Sequence, residues 1–229
     1  MFDGLFPAGS VNFSPASRLL EFGQECLSDD ELLDLLLRGL MACASERHQA
    51  IAKLLEHFGS ASKCIAASVK ELRKISGLSD EVIIAFKVTH ATAMRLAKAQ
   101  IHDRPILTSS KALHQYLLIA MQHEANEQFR VLYLNSKNHL LLDKKHAEGS
   151  VHRVSVDIRT IIITALEVNA TAIILAHNHP SGDVTPSRCD IEITRAITQA
   201  ARPLSIEIHD HIIIGNGCVF SFRKHHLFA

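Results

Sequence analysis

TAIILAHNHPSGDVTPSRCDIEITRAITQAA, residues 171–201, decides how the chain is read. Its opening run TAIILA (171–176) is short, apolar and rich in β-branched residues, which predicts a buried strand. Side chains alternate along a strand, so His177 and His179 point one way and Asn178 the other. Pro180, Ser181, Gly182 and Asp183 are turn formers. Thr185-Pro186-Ser187 then supplies cap residues and a proline suited to a helix start, and IEITRAITQAA carries apolar residues at helical spacing. Asp190 falls in the first turn of that helix. A chain with 15 histidines contains some His-x-His pairs by chance, and Ser187-x-x-Asp190 alone reads as a capping-box-like helix start. The conjunction carries more: strand end, two imidazoles on one face, tight turn, and an acid at the next helix start. Two imidazoles and one carboxylate leave a fourth tetrahedral position open, the arrangement of catalytic rather than structural zinc. Because a carboxylate has two oxygens, Asp190 can cap and ligate together.

Other chemistries lack their motifs. There is no H-E-x-x-H helix, no Walker loop, no G-x-G-x-x-G and no G-x-S-x-G elbow. The zinc deaminases need H-x-E followed by P-C-x-x-C; Asn178 and His179 stand where that glutamate would be, and no C-x-x-C occurs. A lone zinc on two histidines and one aspartate also lacks the paired-metal carboxylates common in phosphoryl transfer. Five scattered cysteines, Cys26, Cys43, Cys64, Cys189 and Cys218, suggest reduced thiols in a cytoplasmic protein rather than a disulfide frame. No apolar run approaches the roughly 18 residues of a membrane span, and the start MFDGLFPAGS lacks the basic residues and apolar core of a signal peptide.

HNHPSGDVTPSRCD resembles the JAMM signature, H-x-H-P followed by S-x-x-D, of the JAB/MPN metalloproteases, and more closely the bacterial RadC (UPF0758) family. The resemblance extends over nearly the whole chain, including the DHIIIG segment at 210–215. It implies a JAB/MPN-type domain with a mixed sheet in a three-layer, cytidine-deaminase-like arrangement. It also implies Zn2+ held by His177, His179 and Asp190, with a glutamate upstream completing the site. In NEQFRVLYLNSKNHLLL the matching position is Glu127, with Glu124 its local competitor. A carboxylate there can take a proton from a water whose pKa zinc has lowered to about 7 and later pass it to a leaving amine. Ser187 can donate a hydrogen bond to the developing oxyanion. On this reading the chain is a JAMM-type zinc metalloprotease acting on a peptide or protein substrate. The alternative, tied to the family's association with DNA repair, is a DNA-binding accessory protein with a non-catalytic metal site.

Outward from the motif, the pattern divides the chain. Residues 1–100 read as a helical domain. SDDELLDLLLRGL opens with Ser28 as cap, and RHQAIAKLLEHFGS ends at Gly59, where a C-cap belongs. LRKISGLSDEVIIAFK resembles a helix-hairpin-helix, whose hairpin offers backbone N–H groups to phosphate. Gly77-Leu78-Ser79 stands where family members carry G-x-G. Residues 1–100 hold 11 Lys and Arg against 12 Asp and Glu, whereas duplex binding calls for a positive face. Lys63, Lys70, Arg73, Lys74 and Lys87 form the candidate basic patch. The polar stretch KAQIHDRPILTSS, near residues 98–108, marks the boundary. Residues 106–229 then read as the α/β metal-binding domain. Helices are expected near 109–122, 157–168 and 187–201, and strands near 129–134, 139–144, 171–176, 204–208, 211–214 and 219–222. The fold class is α+β. His209 and His211 flank Asp210 on a late strand, and alternation puts both on one face. They either form a second metal site or, as the resemblance favours, Asp210 or His211 orients the zinc-binding imidazoles. His225 and His226 are expected to be exposed.

Overall fold

The computed structural model describes residues 13–102, 105–106, 110–149 and 156–228. MFDGLFPAGS, and residues 103–104 and 107–109 of the polar boundary stretch, lie outside the described residues. The chain forms two compact units, Met1–His90 and Ala91–Ala229.

The first unit is helical: α1 (Pro15–Phe22), α2 (Asp29–Leu37), α3 (Ala44–Phe58), α4 (Ala61–Ala66), α5 (Val69–Leu72) and the first part of α6 (Asp80–His102). Local chemistry sets the helix ends. Ser28 and Glu31 close a capping box on α2, and Ser68 and Glu71 close another on α5, satisfying N–H groups that the first turn leaves unpaired. Gly59 ends α3 in the left-handed conformation, its N–H bonded to Leu55 O at 2.8 Å. Leu33, Leu37, Ile51, Leu54, Leu72, Val82 and Phe86 form the core. Gly77, at φ +90°, makes the hairpin between α5 and α6. Lys53 Nζ donates to Ser76 O and Oγ beside it.

The second unit is a five-stranded sheet between helices. After α6 come α7 (Ser110–Met121), β1 (Glu127–Leu134), β2 (Leu140–Gly149), α8 (Ile158–Glu167), β3 (Ala172–Asn178), α9 (Arg188–Ala201), β4 (Glu207–Ile214) and β5 (Val219–Ser221). The strand order is β2-β1-β3-β4-β5, parallel between β3 and β4 and antiparallel elsewhere. β3 is buried along its whole length, as a central strand covered on both faces must be. Ile174 and Ala176 join α7 in one core with Leu132, Leu134, Ile212 and Ile214. Ile173 and Leu175 join α8 and α9 in the other with Val131, Tyr133, Ile161 and Ile197. The result is α+β with a three-layer, mixed-sheet second unit.

Two expectations change. The strands expected at 204–208 and 211–214 are one strand, β4, preceded by a 3-10 turn at Arg202–Leu204. A bulge explains the apparent break: Ile208 faces Ile173, yet Asp210 faces Ile174, so His209 is an extra residue. A bulge shifts the alternation beyond it, and His209 and His211 therefore do not share a face. The core of the second unit also takes in Ala97 and Ile101 of α6, residues that precede the change of pattern in the sequence. Among the described residues no helix is long and apolar enough to cross a membrane.

Candidate metal centre

His177 is the penultimate residue of β3, and His179 follows the strand end. The backbone holds both. His177 pairs with Phe129 of β1 and Ile213 of β4, and His179 N–H donates to Ile214 O at 2.8 Å. Gly182 N–H bonds back to His179 O, closing the turn with Gly182 at φ +85°. The turn packs on the β4–β5 connection at Gly215. A Cβ on Gly215 would lie 2.4 Å from Gly182 O and 2.6 Å from Val184 Cγ1, so only glycine fits without displacing the turn.

α9 delivers the third residue. Ser187 is its N-cap, and Asp190 sits three residues on in a full capping box. Asp190 N–H donates to Ser187 Oγ at 3.2 Å, and Ser187 N–H donates to Asp190 Oδ2 at 2.7 Å. Asp190 still faces the imidazoles: Oδ1 is 3.2 Å from His177 Nε2 and Oδ2 is 3.5 Å from His179 Nε2. The two Nε2 atoms are 3.0 Å apart. One ligand atom from each residue lies within 4.8 Å of the others.

Hydrogen bonding fixes where the protons are. The Thr194 hydroxyl donates to Asp190 O, because two acceptor oxygens cannot approach so closely without a hydrogen between them. At its 2.6 Å contact with His211 Nδ1, Thr194 Oγ1 is therefore the acceptor and Nδ1 carries the proton. Fully buried, His211 is held well below the usual histidine range by desolvation and stays neutral, so its Nε2 is an acceptor. His177 Nδ1, 2.8 Å away, donates to it, and the lone pair of His177 is left on Nε2. His179 Nδ1 donates to Asp183 O at 2.6 Å, which likewise leaves its lone pair on Nε2. Two lone pairs and a carboxylate thus converge with no hydrogen to share, unless an imidazole takes up an extra proton. Hydrogen bonding to Asp190 is the largest influence on His179 and raises its pKa. Burial alone would raise Asp190, but the two imidazoles outweigh it and hold the carboxyl well below the usual range. A cation is the natural occupant of this donor set. The two-nitrogen, one-carboxylate set fits a divalent metal such as zinc.

The remaining expected site residues fall as follows. Glu127 is half-buried at the start of β1, two residues before Phe129 and thus on the same sheet face as His177. Its charge reaches His179 and raises that imidazole further. Glu124 is exposed in the turn before β1. Ser187 is exposed, and since its Oγ accepts from Asp190 N–H, its own proton is available to donate. His211 orients His177, whereas Asp210 accepts from Ser221 Oγ and from the N–H groups of His211 and Arg223. His209 Nε2 instead meets Asn138 Oδ1 at 2.6 Å. His225 is exposed but stacks on Phe220, with centroids 4.0 Å apart. All five cysteines are free, and Cys189 is exposed. Thr194 and Gly215 carry no sequence signal of their own, because what selects them is contact with distant residues.

Residues 107–227 match the family model described as a RadC-like JAB domain. A UPF0758 protein of Rhodobacter capsulatus is 42% identical over 207 residues, spanning 90% of this chain and 96% of that protein. Another from Ruegeria pomeroyi is 40% identical over 207 residues, with 90% and 92% covered. The chain belongs to the RadC family, and its sheet unit is a RadC-like JAB domain on the fold of the JAMM-type metallohydrolases.

Proposed function

We propose that the chain is a zinc-dependent metallohydrolase of the JAMM type, a peptidase or isopeptidase acting on a peptide or protein amide. The observation that carries the proposal is the convergence of the His177 and His179 lone pairs on the Asp190 carboxylate, with Glu127 on the same face. His177, His179 and Asp190 would hold the zinc, which when bound would supply Lewis acidity, bringing the pKa of a water to about 7 and polarising a carbonyl. Glu127 then takes the proton of the attacking water and returns it to the leaving amine nitrogen. Ser187 donates its hydroxyl proton to the carbonyl oxygen as negative charge builds there. His211 and the Asp183 carbonyl keep the two imidazoles in the tautomer that presents Nε2, so neither ring must reorganise during turnover.

A nucleic-acid role for the helical unit has less support. Lys87 Nζ is committed to the carbonyls of Ala66 and Ala67, and Arg73 reaches Asp80. Both tether cations that a phosphate would need.

Metal content, measured by mass spectrometry on protein purified without a His tag, tests the reading beside a His177→Ala/His179→Ala double variant. Zinc that accompanies the wild type at about one per chain and is lost from the variant supports it. A peptidase screen with Glu127→Gln as the inactive control follows. Absence of bound zinc, together with no uptake on titration, would sink the proposal.

A further inference from the structure

We infer that Asn178, the residue between the two histidines, is a positioning residue that sets the direction of the Glu127 side chain. The inference rests on the reading of Glu127 as proton acceptor and donor. Asn178 is 1% exposed and points to the opposite side of β3 from the imidazoles. The last backbone pair between β1 and β3 is Phe129 with His177. One step further out, the Asn178 amide takes over from the ladder. Its Oδ1 accepts from Gln128 N–H at 2.8 Å, and its Nδ2 donates to Asn126 O at 3.1 Å and to Glu124 O at 3.4 Å. The amide orientation is unambiguous, since a flip would set oxygen against two carbonyls and NH2 against an N–H.

The two shorter bonds fall on particular peptide groups. Asn126 O belongs to the peptide preceding Glu127, and Gln128 N–H to the peptide following it. Planar peptides leave a residue only φ and ψ as soft variables. One side chain that grips both flanking planes therefore fixes both angles of Glu127, and with them its Cα–Cβ direction. Asn178 is covalently adjacent to His177 and His179, so the same strand end aims the imidazoles to one face and, through the amide between them, grips the backbone that carries Glu127. On its far edge Glu127 pairs with Gly149, the last residue of β2. Asp or Ser at position 178 cannot supply this pattern: Asp lacks the donor, and Ser is too short to span both peptides. Asn178 touches no ligand atom of the metal site, so its loss should leave metal binding in place while misdirecting Glu127.

The test uses the full chain with zinc or cobalt(II) as the probe, comparing wild type, Asn178→Ala and Glu127→Gln. Amide exchange by NMR is expected to show Gln128 N–H protected in the wild type and unprotected in Asn178→Ala, with β3 amides unchanged. Zinc uptake should be retained. Visible absorption of the cobalt(II) protein reports geometry and hydration about the metal. Asn178→Ala should shift this spectrum from the wild-type form toward that of Glu127→Gln, although Glu127 is still present. A wild-type cobalt spectrum in Asn178→Ala, or an unchanged Gln128 exchange rate, overturns the inference. A spectrum indifferent to Glu127→Gln overturns instead the reading of Glu127 beneath it. Should Asn178→Ala not fold, Asn178→Ser leaves a smaller void and is read the same way. Loss of zinc uptake in both variants would make Asn178 a structural residue and overturn the inference as well.

Discussion

At the scale of single residues, the site depends on proton placement more than on the ligands alone. His177 presents Nε2 because its Nδ1–H has an acceptor in His211, and His211 Nε2 accepts because the ring's one N–H, at Nδ1, is donated to Thr194 Oγ1. His211→Leu removes that acceptor and frees the His177 ring to rotate or change tautomer. Zinc affinity should fall about 10- to 100-fold, the usual effect of losing such a partner, whereas His211→Gln, which keeps an acceptor oxygen, should lose less. Competition with a chelating dye measures both. Equal affinities for the two variants would refute the tautomer argument. Gly215→Ala tests the packing beneath the turn. Its Cβ meets backbone at 2.4 Å, so the turn carrying Asp183 must move. The expected cost is about 1–3 kcal/mol of stability, read by denaturant melts, with weaker zinc uptake. The ligands were legible in the sequence because His177, His179 and Asp190 are close along the chain and each has a local reason for its place. Thr194 and Gly215 were not, since their partners come from a different turn of helix or a different strand.

At the scale of elements, what could be read from sequence depended on whether the cause was local. Capping residues foretold the start of α2 at Ser28 and the end of α3 at Gly59, and the Pro-Ser start of α9 was equally clear. β4 was misread as two strands because its bulge at His209 arises from register against β3, with neither Gly nor Pro to announce it. The pairing of α2 with α3 was likewise hidden. Asp34 of α2 accepts from Arg47 of α3 at 2.6 Å and from Arg38 at 2.6 Å, and Arg47 also donates to Met41 O. The Arg47 and Asp34 side chains are 8% and 13% exposed. Asp34→Ala should destabilise the helical unit by about 3 kcal/mol, because it leaves a buried guanidinium uncompensated. The pH dependence has a definite sign. Hydrogen bonds from Arg38, then Arg47, lower the Asp34 pKa in the fold. Its stabilisation is therefore present above the unfolded value of about 3.9 and is lost as pH falls through the lower folded value. Melts across pH 2–7 should show wild type and Asp34→Ala far apart at neutral pH and converging below about pH 4. A gap that persisted undiminished in acid would rule out this ion pair as the source.

At the scale of the whole molecule, the two units draw on separate cores. The core residues of the helical unit lie between Leu33 and Phe86, while those of the sheet unit begin at Ala97. The candidate metal centre belongs wholly to the second, at the end of β3 and the start of α9. A ligand that binds only the folded form stabilises what it binds by mass action, about 2.7 kcal/mol at a hundred times its dissociation constant. For a unit of this size that is an upward shift of roughly 5–10 °C in melting temperature. Zinc should therefore raise the transition of the sheet unit and leave that of the helical unit where it was. Asp34→Ala should do the converse, lowering the helical transition alone. Calorimetry of the full chain with zinc, with chelator, and in the His177→Ala/His179→Ala background separates these effects, and the double variant should not respond to zinc. A single transition moved by both zinc and Asp34→Ala would show that the continuous helix α6, within which His90 and Ala91 mark the division, makes the two cores melt as one.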